Sequence, residues 1–455
     1  MQPVTTKQAN RSWLWLIAGC VLLLLVAMLT PSSKTDQPAS PGPLASAAPS
    51  AGSGRASSDG WTITGHARKV PTAEEIVAAK LKKFGAKRRA LVHSLAEHCK
   101  IDVLPDVERF FAALDAGDFE ETERLFKSLR QNLDSPGSDL RKYWRAILEA
   151  DGAAEQAHLW PPQQFLNYGN GVLDSLKPGM AYIGGTDSGC FIVTMLNETS
   201  EGEPHLTLTQ NALADTSYLQ YLSAVYGDSL NVPTEEEEQN AFNQYLNGAK
   251  QRLEHDQQFP DEPKQVLPGE DITLDDGSGR VNISGQVAVM AINNLLTQVL
   301  VQKNPDLSFG LEESFPLSST YPGAAPLGPI FELNTGNTMT ADQASQSVNY
   351  WQNEAQQLQA GGETSTPVLQ SFSHDANAQG NLLANNNFPD EAGQAYQTAL
   401  NIYPGSVEAI TGLTRVLAQQ GQFDQAGQAL DNFLQANPQE GPTVSNLRQT
   451  LLSGH

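Results

Sequence analysis

The first apolar stretch runs from Trp13 to Leu29, WLWLIAGCVLLLLVAML, without a charge. At about 1.5 Å per residue it is long enough to cross a hydrocarbon core of roughly 30 Å, so it predicts a single transmembrane anchor over 13–30. Lys7 and Arg11 precede it, which places residues 1–12 in the cytoplasm and the rest outside, in the periplasm of a bacterial envelope. A cleaved signal would need small residues where the chain has AML before TPSS. A lipid-modified Cys20 would close the apolar run, which instead continues to Leu29. Residues 31–60 are Pro, Ser, Ala and Gly with almost nothing to bury and read as a disordered tether.

Helical spacing begins after Pro71, where Thr72 and Glu75 form a capping box, and residues 61–159 read as a helical region. Leu104–Leu114 and Phe119–Leu133 are two apolar-periodic stretches broken by Asp115 to Asp118. Their GDFEET with Phe126 and Leu129 resembles one tetratricopeptide repeat, but a single copy favours an ordinary helical hairpin, which is the reading taken. Arg68, Lys69, Lys80, Lys82, Lys83, Lys87, Arg88 and Arg89 face only Glu74 and Glu75 in the same window. The run is read as a solvated helix face, with contact to anionic lipid as the sharper alternative.

From 160 to 335 the period switches between two and 3.6. Strand character falls at Tyr182–Ile183, His205–Thr209, Leu307–Leu311 and Pro329–Leu333, and helical character at Ser217–Tyr226, Ala241–Leu253 and Gln286–Gln302, which predicts an α/β domain. Between Ile183 and Phe191 lies the knot GGTDSGC. If residues 191–196 form a strand, the knot is a hairpin turn. If they form a helix, Thr186, Asp187 and Ser188 cap it at the carboxyl end of a strand, where α/β ligands sit. Asp187 is then the capping carboxylate and Cys190 lies by the helix N-terminus. The knot lacks the lysine of a phosphate loop, the spacing of a dinucleotide fold and that of a nucleophile elbow. No catalytic residue is assigned.

Residues 336–455 carry a repeat. Asp390, Ala392, Tyr396, Ala399 and Pro404 return 34 positions later as Asp424, Ala426, Leu430, Phe433 and Pro438. That period, with small, large, apolar and proline positions at those offsets, resembles tetratricopeptide repeats over about residues 367–452. The first copy has an extra residue near Pro389 and lacks the usual first-helix tryptophan. Two such repeats cannot bury a solenoid core alone, so they should pack on a neighbour, the helix suggested by 341–359. The resemblance implies a protein partner.

The central segments PGMAYIGGTDSG, LTQNALADTSY, EESFPL with a following YP, and PLGPIFELN come in the order found in the soluble domain of an uncharacterised bacterial membrane family similar to protein O-mannosyltransferases. The resemblance spans about residues 160–355 and favours a helix over 191–196. Two departures stand out. One membrane span replaces the family's several, and Pro326, Leu327, Gly328 stand where the family tends to Pro-His-Gly.

Composition narrows the partners. The 455 residues are 40% hydrophobic and carry a formal charge of −23 with only 28 Lys and Arg, which excludes nucleic acid as the main partner. Cys20, Cys99 and Cys190 lack zinc-site spacing, and no metal or cofactor is implied. Outside the cytoplasm Cys99 and Cys190 would face an oxidising space, though two buried free thiols are the expectation taken.

Two functions follow. The leading one is an anchored scaffold, serving envelope assembly, that binds proteins through its helical repeats. The alternative is a domain that binds or processes a glycan or lipid-linked sugar, with Thr186, Asp187, Asn211, Asp215, Glu312 and Glu313 around one crevice. Against it stand ordinary roles: Asp187 and Asp215 as caps, Asn211 in a turn, and the glutamate pair as exposed edge charges.

Overall fold

The computed structural model describes residues 70–448 apart from 134, 136–137, 268, 275–280, 362–363 and 445–446. The apolar run 13–29 and the tether lie outside them. Among the described residues no helix is long and apolar enough to cross a membrane.

The chain is mostly helical around a small sheet. Helix α1 (Ala73–Cys99) starts at Thr72, whose hydroxyl accepts from the Glu75 N–H while the Glu75 carboxylate accepts from the Thr72 N–H. Helices α2 (Pro105–Ala116) and α3 (Phe119–Leu133) form the expected hairpin. It turns at Gly117, whose φ of 73° suits a residue without a side chain. Helices α4 (Trp144–Leu159) and α5 (Pro162–Ser175) complete this layer.

Strand β1 (Ala181–Gly184) leads through a π-helical turn at Ser188–Ile192 into α6 (Val193–Thr199), so residues 191–196 are helical. Then come β2 (Thr207–Thr209), α7 (Thr216–Tyr226), α8 (Glu235–Gln258), the hairpin β3 (Asp271–Leu274) and β4 (Val281–Ser284), α9 (Gln286–Lys303), β5 (Phe309–Leu311), β6 (Ala325–Leu327) and β7 (Ile330–Leu333). The main sheet runs β2-β1-β5-β7-β6. Its first three strands are parallel, β7 pairs antiparallel to both β5 and β6, and β3 with β4 stands apart. His205 falls outside β2, because its N–H donates to Asn197 Oδ1 at 2.9 Å instead of joining a ladder.

Both faces of β1 are covered. Ala181 and Ile183 pack in one cluster with Ile292, Leu296 and Leu300 of α9, whereas Tyr182 packs in another with Val193, Met195 and Leu196. Alternate side chains thus meet helices on opposite faces, the burial expected of parallel strands.

The basic run on α1 is a solvated face in part, with Lys82, Lys83, Lys87 and Arg89 exposed, and in part reaches another helix. Lys80 and Lys83 donate to the Thr199 carbonyl at 3.4 and 3.2 Å, and Lys87 to the Glu198 carbonyl at 2.6 Å. Buried Arg88 pairs with Glu198 (2.8 Å) and Glu149 (2.7 Å). These carbonyls end α6, where the helix dipole is negative, so Lys80, Lys83, Lys87 and Arg88 also close a helix end. Cys99 is exposed and Cys190 buried, both as free thiols, which corrects the expectation that both are buried.

The C-terminal part is α10 (Ala341–Ala360), α11 (Thr366–Asn385), α12 (Pro389–Ile402), α13 (Val407–Gln419) and α14 (Phe423–Ala436). Ala392, Tyr396, Ala399, Ala426, Leu430 and Phe433 are buried between these helices, and Pro404 and Pro438 follow the ends of α12 and α14. A Cβ on Gly412 would lie 2.3 Å from the Tyr396 ring, so α13 can approach α12 this closely only with glycine there. Helix α10 packs against α12, with Trp351 fully buried.

Candidate functional site

The register that pairs Ile183 with Leu311 sets the knot after β1 beside Glu312 and Glu313 after β5. This is the carboxyl edge of the parallel strands, where crevices open in α/β sheets. Glu312 enters the knot: its Oε2 accepts from the Gly185 N–H at 2.6 Å and the Thr186 N–H at 2.9 Å. A Cβ on Gly189 would lie 1.9 Å from that oxygen, so the carboxylate occupies the space a side chain there would need. Glu312 and Glu313 are 1% and 3% exposed, which overturns the reading of the pair as exposed edge charges.

The cap is Thr186, whose hydroxyl accepts from the Gly189 N–H at 3.0 Å. Asp187 already has helical angles, φ −61° and ψ −41°, and its side chain caps nothing. A capping residue needs an extended backbone to bring its side chain over the first turn, so the expected cap at Asp187 is corrected. Burial, with Glu155 and Glu312 nearby, lifts the Asp187 carboxyl to about 7. Burial also pushes the Cys190 thiol far up, and no reactive thiolate forms at the helix start. Ser188 shares hydrogen bonds with Thr186 (3.1 Å) and with Ser371 of α11 (2.9 Å), neither of them a base.

Asn211 joins the same edge. Its Nδ2 donates to the Gly185 carbonyl at 3.0 Å and its Oδ1 accepts from the Ser314 hydroxyl at 2.9 Å. Asp215 does not join it. It caps α7, accepting from the Ser217 N–H at 2.9 Å, and lies off the cleft.

The opposite wall belongs to the repeats. A cleft of about 370 Å³ is bounded on one side by Thr186, Asp187, Asn211 and Glu313 and on the other by side chains of α11 and α13. The repeat residues come in pairs 34 apart: His374 with Glu408, Asn377 with Thr411, Asn381 with Arg415. These positions were not singled out from the sequence. The signal was present, since the 34-residue period that aligns the buried Ala and Tyr also aligns this polar row on the first helix of each repeat. Val289, Met290, Phe315 and Pro316 make the apolar part of the lining.

His374 ties the two walls together. Nε2 donates to the Glu313 carbonyl at 2.7 Å and Nδ1 lies 3.0 Å from a Glu408 carboxylate oxygen. Both partners are acceptors, so both nitrogens carry protons. Burial alone would lower this imidazole, but the Glu408 carboxylate outweighs it and raises it to about 10. Glu313 accepts from Tyr321 Oη (2.8 Å) and the Leu317 N–H (3.0 Å), and burial still lifts it to about 8. Behind it, burial and Glu312 push Asp375 well above the usual carboxylate range. Glu312 Oε1 and Asp375 Oδ2 are both buried without a hydrogen-bond partner.

Among the described residues no group of His, Cys, Asp and Glu is arranged to hold a metal ion. Comparison with known proteins places residues 382–451 in a match to the tetratricopeptide repeat family. The likeness of the central region to the mannosyltransferase-like family finds no such support, and no curated protein or solved structure matches the chain. The repeat match therefore describes the C-terminal part alone.

Proposed function

We propose that this protein is an interaction scaffold that takes an extended peptide of a partner into the cleft between the sheet edge and the repeats. The observation that carries this is the set of equivalent positions 374/408, 377/411 and 381/415, which present polar side chains from the first helices of two repeats into one cleft. Helical repeats bind through the concave face that such helices build. The second wall, from the α/β layer, supplies the apolar contact that gives a peptide side chain somewhere to bury.

The test is retention of degenerate, end-capped peptide pools on the immobilised full chain. Thr411→Tyr, which fills the cleft, should abolish retention, while Gln397→Ala on the outer side of α12 should leave it intact. Retention unaffected by Thr411→Tyr would move the site elsewhere, and no retention of any pool would defeat the reading.

The uncharged run Trp13–Leu29 supports placing this scaffold on a membrane with its folded part outside the cytoplasm, within reach of envelope assembly. Protease added to spheroplasts should then cut within 31–60 and release a soluble fragment. Protection of that segment would reverse the orientation.

A further inference from the structure

Helix α11 meets the α/β layer through polar contacts along one of its faces. Ser371 Oγ shares a hydrogen bond with Ser188 Oγ (2.9 Å), His374 Nε2 donates to the Glu313 carbonyl (2.7 Å), and Gln379 Nε2 donates to the Ile330 carbonyl (3.0 Å). Asp375 lies among them and faces a group of its own sign. Its carboxyl, 2% exposed, comes within hydrogen-bonding reach of Glu312. Glu312 gives Oε2 to the Gly185 and Thr186 N–H groups, which leaves Oε1 buried without a donor, and Asp375 Oδ2 is in the same condition. Among the described residues, the groups that face the pair give it no donor. Tyr182 Oη of β1 donates to the Gly189 carbonyl at 3.0 Å, and Tyr168 Oη of α5 is itself without a partner. His374 uses its two nitrogens on Glu313 and Glu408. Tyr350 of α10 also faces Asp375, and Asp187 and Cys190 of the knot face Glu312. A phenol proton reaching Asp375 would answer one oxygen and leave two like charges buried together, which costs more than either alone.

We propose that Glu312 and Asp375 share a single proton, and that this carboxyl–carboxylate bond is a pH-sensitive latch holding α11, the repeat wall of the cleft, to the sheet edge. One proton turns two acceptors into a donor and an acceptor, and a bond of this charge-assisted kind is among the strong ones. When the proton leaves to water, two carboxylates face each other in a place of low dielectric. The contacts of Ser371, His374 and Gln379 keep their sign under that change. The pair turns from attraction to repulsion. Folding raises Asp375 well above its ordinary range, so the latch is closed at low pH and opens as pH rises through the raised value. It acts whatever ligand the cleft takes.

Infrared difference spectroscopy of the full chain in heavy water at pH 6 reads the proton directly. Native minus Asp375→Asn should show one protonated-carboxyl band, and native minus Glu312→Gln the same single band, because either amide puts an N–H in the proton's place. Asp187 and Glu313 are common to all three proteins and cancel. A band that survives Glu312→Gln would mean that Asp375 keeps its proton unaided, and no band in either difference would mean that none is shared; each result overturns the inference. Hydrogen exchange of α11 between pH 6 and pH 10 reads the latch. As the band fades, protection in the native chain should fall about tenfold per pH unit relative to Asp375→Asn at the same pH. A band that persists to pH 10, a band that fades without loss of protection, or equal protection in native and variant would overturn the latch.

Discussion

Glu312 is the residue on which the knot depends. Its carboxylate answers two backbone N–H groups that the turn leaves without partners, inside a space kept open by Gly189. Glu312→Ala strands both donors in a buried place, so it should cost about 2–4 kcal/mol of stability. Glu312→Gln keeps an acceptor of the same shape and should cost under about half as much. Asp187→Ala, in contrast, should change stability by no more than about 0.5 kcal/mol, because no bond is lost. Urea denaturation of the three variants checks this order; a loss for Asp187→Ala as large as that for Glu312→Ala would show that Asp187 holds the turn after all. The sequence could point to the knot because glycines flank a capping residue at a strand end. It could not say which neighbour caps, since Thr186 and Asp187 are both good capping types and only the backbone angles separate them. Nor does a glutamate after a short strand announce that it will be buried, because the backbone N–H groups that tolerate it lie 126 and 127 residues away.

At the scale of elements, legibility followed periodicity and length. Helix α9 has a long uninterrupted apolar pattern, and α12 to α14 repeat at a fixed period, so both could be read from the chain. Strands β6 and β3 had no comparable signal: β6 is three residues with a proline, and β3 with β4 is a two-stranded hairpin off the main sheet. Helix α5 begins behind Pro161–Pro162 and carries glycines at 169 and 171, which masks its apolar face. The basic run on α1 shows a different limit. Its spacing fits a solvated face, yet Lys80, Lys83, Lys87 and Arg88 close the end of α6 more than a hundred residues on. Charge pattern along one helix says which side chains share a face. It does not say what that face meets, and here it meets the negative end of another helix. The polar row of the repeats was legible in principle, by carrying the 34-residue period from the apolar packing positions to the polar ones that line the cleft.

For the whole molecule, the cleft's protons set a direction for stability against pH. Folding lifts Asp187 to about 7, Glu313 to about 8 and His374 to about 10, each above its unfolded value near 3.9, 4.3 and 6.5. In each case the folded state binds the proton more tightly, so the contribution is complete below the unfolded value and fades as pH rises through the folded one. Glu408 is shifted down by its ion pair with His374, and its contribution is lost instead as pH falls through its lowered value. Stability should therefore decline from pH 6 to pH 9. The −23 formal charge also loosens the fold as carboxyls ionise, with the same sign, so the slope of the native protein alone decides nothing. A comparison with Glu313→Gln isolates the buried group. Glutamine can still accept from Tyr321 and cannot ionise, whereas the global repulsion is nearly unchanged. Between pH 6 and pH 9 the native melting temperature should fall by about 5 °C more than that of the variant, on the scale of a few kcal/mol in a chain of this size. Parallel profiles would mean that Glu313 does not titrate inside the fold, and that the wall it shares with His374 is held by packing alone.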